Sequence, residues 1–129
     1  MAHMIDPLTP KLRLYTNSIV WGSSGVGASS KGKNLVSCTR NSAGNWTLKF
    51  DRVWNSCVSF SIAEVEATIT LGKYAVTAIR PSATGGAEVD VEHLNAAGAA
   101  ADPVSGDELH LTVFATTGGS ALKNATTFA

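Results

Sequence analysis

Three alternating segments between Lys31 and Ile69 leave this chain little choice of fold. In Trp46-Thr47-Leu48-Lys49-Phe50-Asp51 apolar and polar residues take turns, so a pleated strand buries Trp46, Leu48 and Phe50 and wets the residues between them. Leu35-Val36-Ser37-Cys38-Thr39-Arg40 precedes it, and Asn41-Ser42-Ala43-Gly44-Asn45 lies between, rich in residues that tolerate positive φ or hydrogen-bond their own backbone. This spacing predicts a β-hairpin. A third run, Val58, Phe60 and Ile62, follows Asn55-Ser56, and three strands joined by short polar turns predict an antiparallel sheet rather than a βαβ unit.

The phase of the pattern then changes. Val58, Phe60 and Ile62 are even-numbered whereas Val65, Ala67 and Ile69 are odd, which predicts a bulge or bend near Ala63-Glu64. Further strands are expected at Leu12 to Trp21 (one or two short ones), at Tyr74 to Ile79, at Glu88 to His93 with Val89, Val91 and His93 inward, and at Asp107 to Phe114 with Leu109, Leu111 and Val113 inward. Pro81 to Gly86 reads as a turn and Asn95 to Gly106 as an Ala/Gly-rich loop. The expected fold is all-β, an antiparallel β-sandwich or jelly roll of about seven or eight strands. Residues 1–13, with Pro7 and Pro10 and no apolar period, read as an N-terminal arm; 14–116 form the sandwich and 117–129 a loose tail.

Composition removes several function classes. Ten basic and ten acidic residues among 129 give zero formal charge, so the basic face that offsets nucleic-acid phosphates is not expected. No apolar run reaches the ~20 residues of a spanning helix, and no charged-then-apolar leader opens the chain, which points to a soluble product of the cytoplasm. Cys38 and Cys57 are too few for a disulfide scaffold; they read either as one bridge between neighbouring strands or as two small buried side chains.

The sequence carries no catalytic constellation. Glu64 and Glu66 share one strand face, as do Glu88, Asp90 and Glu92, in the manner of a solvated sheet surface. His93 and His110 have no Cys or Asp at ligand spacing, so neither metal nor other cofactor is expected. Gly27-Ala28-Ser29-Ser30-Lys31-Gly32-Lys33 approaches a phosphate-binding loop, but Asn34 stands where a Ser or Thr is required and a strand, not a helix, follows; a turn-rich loop is expected instead. Trp21, Trp46 and Trp54 could form a sugar platform, although Trp46 is in phase with the core. Trp54, at a strand end, reads as core edge or subunit contact, and His93 as a core or interface residue.

Lys33-Asn34-Leu35-Val36-Ser37-Cys38-Thr39-Arg40 with Gly44-Asn45-Trp46-Thr47-Leu48-Lys49-Phe50-Asp51 resembles the strand–turn–strand hairpin of small tailed-bacteriophage virion proteins. Asp102-Pro103 and Gly106-Asp107-Glu108-Leu109-His110-Leu111 resemble their closing segment. Trp46 stands where that pattern usually has Tyr, and the two cysteines are not part of it. The resemblance implies a homotrimeric capsid decoration (cement) protein on the virion exterior, with the major capsid protein as partner; the alternative is a receptor- or glycan-binding head of a tail fibre. It carries over no functional residue. The unpatterned arm is the expected capsid contact, through Ile5, Pro7, Leu8, Pro10 and Leu12, and Trp54 and His93 are the expected trimer-interface residues.

Overall fold

The computed structural model describes residues 11–23, 27–67 and 69–117, and among these there is no α-helix. Eight strands follow in order: β1 Lys11–Trp21, β2 Gly27–Lys31, β3 Leu35–Ser42, β4 Asn45–Phe50, β5 Ser56–Val65, β6 Lys73–Arg80, β7 Glu88–Leu94 and β8 Glu108–Thr117. They form two four-stranded antiparallel sheets, β2-β1-β8-β5 and β3-β4-β7-β6, consistent with a β-sandwich. Counted from β3, the order β3-β4-β7-β6 over β5-β8-β1 has the A-B-E-D over C-F-G connectivity of an immunoglobulin-type sandwich, with the last strand drawn from the N-terminal end of the chain.

Inward residues of both sheets form one core. Tyr15, Ile19, Trp21, Leu109, Leu111 and Val113 meet Trp46, Leu48, Phe50, Val89 and Val91. At one end of the sandwich Trp21 of β1 packs on Trp46 of β4, ring centroids 4.6 Å apart. At the other end Tyr15, Phe50 and Trp54 form a tilted aromatic cluster, with Phe50 and Trp54 5.0 Å apart. The β3–β4 hairpin matches the alternation that predicted it. Its turn needs Gly44, whose φ of 76° is left-handed and whose missing side chain leaves room for the backbone of His93 and Ala101.

Several local expectations are corrected. β1 is a single strand, held straight by an unbroken ladder to β8 from Lys11↔Thr117 to Val20↔Glu108; residues 11–13 therefore belong to the sheet rather than to an arm. The expected loop around Gly27 contains β2, which pairs with β1. The third alternating run does not extend the hairpin sheet: β5 crosses to pair with β8, which puts Cys38 and Cys57 on different sheets as free thiols. The irregularity in β5 lies between Cys57 and Ser59, not near Ala63-Glu64. Beyond it the ladder from Ser59 to Val65 is regular, so Phe60, Ile62 and Glu64 face inward, and Val65 and Ile69 are left in solvent.

Candidate functional site

Among the described residues, most of the large apolar side chains that folding fails to bury fall in two groups, while Val36 of β3, Val53 after β4 and Ile79 of β6 stand outside both. Beyond β5 the 66–72 loop carries Ile69, 82% exposed, and Leu71, 68% exposed, beside the exposed Val65. Leu71 has a φ of 58°, a left-handed conformation that an unbranched polar residue or glycine would take at less cost. The Glu66 carboxylate fixes the loop. Its Oε2 accepts from the Thr70 N–H at 2.9 Å, and its Oε1 accepts from the Thr70 hydroxyl at 3.1 Å and the Gly72 N–H at 3.0 Å. Those backbone donors hold the Glu66 carboxyl below its usual range. Buried Asp107 ties in the loop before β8: its Oδ1 accepts from Ala67 N–H at 2.8 Å and its Oδ2 from Val104 N–H at 3.2 Å, placing exposed Val104 beside the tip.

Directly beneath this tip lies a polar layer that bridges the sheets. Glu64 of β5 places Oε1 3.9 Å from His93 Nε2 of β7; the two side chains are 14% and 4% exposed, and neither atom has a hydrogen-bond partner. His93 Nδ1 lies 2.7 Å from the Ala101 carbonyl oxygen, which fixes that nitrogen as the donor and leaves Nε2 as the ring's acceptor. The Tyr74 ring packs on the imidazole with centroids 4.7 Å apart, and Gly72 abuts Nε2 so closely that a side chain there would collide with it. Burial, with the Glu66 and Asp107 carboxylates nearby, raises the Glu64 pKa to about 7. Two carboxyls pushed apart in this way could divide acid and base roles. An open surface pocket of about 370 Å³ lies elsewhere, lined by Thr16, Asn17, Ser18, Gly32, His110, Leu111 and Thr112, and no member of the acid–imidazole layer lines it.

The second apolar patch occupies the outer face of the β1/β8 sheet at its other end. Leu12 and Leu14 are 62% and 56% exposed, and Leu14 pairs with half-buried Phe114. Next to them the outer face continues with Thr16, Thr112, Ser59 and Ser61, all uncharged. The opposite sheet carries a cluster of ion pairs, Lys49 to Glu88 at 3.3 Å, Arg80 to Glu88 at 3.0 Å and Arg80 to Asp90 at 2.7 Å, together with exposed Val36. Charged groups that must be stripped of water disfavour association, so the uncharged stretch around Leu12 and Leu14 is the better adhesive surface, although Glu108 and His110 stand at the far end of the same face.

Of the residues singled out from sequence, Leu12 lies within this patch, while Ile5, Pro7, Leu8 and Pro10 lie outside the described residues. Trp54 and His93, expected at a subunit interface, are both buried in this chain's own core, where Trp54 completes the Tyr15–Phe50 cluster and His93 faces Glu64. Trp21 and Trp46 are buried as well, so no tryptophan offers a sugar platform. Burial also pushes the Cys38 thiol up to about 11, away from nucleophilic use. Among the described residues no three His, Cys, Asp or Glu side chains gather as metal ligands would. The inward placement of Glu64 and the exposed loop tip escaped sequence reasoning; a signal for both was the glutamate at an even position in phase with Phe60 and Ile62. No family model, curated protein or solved structure matches the chain.

Proposed function

We propose that this chain is a structural virion protein of a tailed bacteriophage, a decoration protein that binds the outer capsid surface as a trimer and strengthens the head. One observation carries the reading: two exposed apolar patches stand at opposite ends of the sandwich. Leu12 and Leu14 lie at one end of β1 and Val65 with the 66–72 loop lies past the other, in the row of Val20 and Glu108. The eight residues from Leu12 to Val20 span roughly 25 Å of strand. A ligand-binding module needs one contact surface, whereas a clamp between subunits needs two. Exposed apolar side chains clustered on a folded domain mark association surfaces.

The reading assigns the first patch to the major capsid protein and the second to neighbouring copies or capsid subunits. A fibre head that binds a glycan has less support, because all three tryptophans that could stack on a sugar are buried. The deciding experiment is to quantify the chain against the major capsid subunit in purified virions. A copy number of the same order as the capsid subunit is expected. A handful of copies per particle would move the protein to the tail, and absence from the particle would overturn the virion reading.

A further inference from the structure

The acid–imidazole layer and the exposed loop are one mechanical unit. Glu64 stands two residues before Glu66, whose carboxylate holds Thr70 and Gly72, and Gly72 closes the loop directly against His93 Nε2. Glu64 belongs to the β1/β8 sheet and His93 to the β4/β7 sheet, so whatever draws them together pins the loop between the two layers. We propose that Glu64 keeps a proton and offers it to His93 Nε2 across the sandwich, and that this proton is a latch that keeps Thr70 and Gly72 on the Glu66 carboxylate with Ile69 and Leu71 held outward.

The geometry supports the latch in two ways. With a proton on the carboxyl, Glu64 Oε1 and His93 Nε2 need to approach by only about 1 Å to form a hydrogen bond. Without it, a carboxylate oxygen faces an imidazole lone pair in a buried site, and both repel. The charged and titratable groups around the pair add to this. Glu66 on the continuation of β5 and Asp107 before β8 present negative charge to Glu64. Asp102, in the loop after β7, faces His93 but is neutralised by Arg40 at 2.9 Å, and the Tyr74 hydroxyl of β6 accepts from Trp21. Three carboxyls around one site cannot all ionise without cost, and Glu64, with the fewest donors, is the one that keeps a proton.

The direction of the pH effect follows from linkage. An opened loop releases Glu64 to water, where it takes its ordinary value near 4.5, whereas the closed form holds it at about 7. Opening therefore becomes easier as pH rises between these values and levels off above them. Glu66 sets the acid limit, since its carboxylate must stay ionised to hold Thr70 and Gly72. The latch is argued from the fold alone; only the identity of what the loop meets rests on the function proposed above, and the test uses the free protein.

That test is amide hydrogen exchange of Thr70 and Gly72 in the intact chain, corrected for intrinsic rates, from about pH 5 to about pH 7.5. In the wild type protection of both amides should fall about tenfold or more across this range, while amides of β4 and β7 stay protected. In Glu64→Gln, which keeps a donor toward His93 at every pH, protection should stay level. A level wild-type profile, or a Glu64→Gln profile that falls in parallel, overturns the latch. If the variant does not fold, carbon NMR of the wild-type Glu64 carboxyl decides: a midpoint near 7 tracked by the Thr70 and Gly72 amide shifts supports it, and titration in the ordinary carboxylate range overturns it.

Discussion

The indole Nε1–H of Trp21 donates to the Tyr74 hydroxyl at 2.8 Å, joining β1 of one sheet to β6 of the other. Trp21 is fully buried, so this donor has no water to turn to. Tyr74→Phe keeps the ring against His93 and removes only the acceptor. Leaving a buried donor unpaired costs about 1–3 kcal/mol, which for a domain of this size lowers Tm by about 4–10 °C. Thermal unfolding followed by tryptophan fluorescence measures it; an unchanged Tm would show that the indole finds another partner.

Stability against pH should pass through a maximum on the mildly acidic side. Glu66, Glu88, Asp90 and Asp102 are held below their usual values, by backbone donors for Glu66 and by Arg80 or Arg40 for the others, so their contribution is lost as pH falls through that lowered range. Glu64 is raised, so its contribution is full below about 4.5 and is lost as pH rises toward about 7. Discounted for solvent screening, that loss is on the order of 1–2 kcal/mol. Urea midpoints across pH should show the decline in the wild type, and Glu64→Gln should remove the neutral-side fall while leaving the acid-side fall in place.

The hairpin and the closing strand were legible because their alternation is uninterrupted: Trp46, Leu48, Phe50, Leu109, Leu111 and Val113 all point where a period of two sends them. Where a strand goes next is not encoded in its own alternation. β5 follows the hairpin closely in sequence yet pairs with β8 in the other sheet, because its apolar face completes the core from that side. Apolarity misled at Val65 and Ile69, which were read as a core face and are exposed, while Glu64 took the inward position. A buried glutamate is tolerated there because His93 arrives from the opposite sheet, a neighbour 29 residues away in sequence that no local pattern reveals.

Replacing Leu12 and Leu14 together by Asp should separate association from folding. Both side chains lie on the outer face, so the change removes no core contact and should alter unfolding free energy by about 0.5 kcal/mol or less. It places two carboxylates in an apolar patch that would have to be desolvated on docking. Co-sedimentation with capsids lacking the protein should then be abolished. Leu48→Ala serves as the contrast: it opens a cavity in the core, costs about 2–5 kcal/mol, and should weaken capsid binding only in proportion to the unfolded fraction. Retained sedimentation of the double Asp variant would remove this face from the contact.

Leu71 offers the sharpest separation of stability from interaction. Its left-handed φ of 58° costs a leucine about 1 kcal/mol, and its side chain recovers nothing from the fold because it stands in solvent. A residue retained in such a conformation only to be exposed is explained if a partner covers it. Leu71→Gly relieves the conformational cost but loosens the unfolded chain, two effects that nearly cancel. Leu71→Asn keeps a side chain suited to the left-handed region without apolar surface. Both variants should unfold within about 1 kcal/mol of the wild type, with Glu66 still holding Thr70 and Gly72. Both should nevertheless lose assembly, measured as trimer mass by light scattering and as retention on capsids. Stability and assembly that fall together would mean that Leu71 serves the fold. Wild-type assembly in both variants would mean that the loop tip meets no partner.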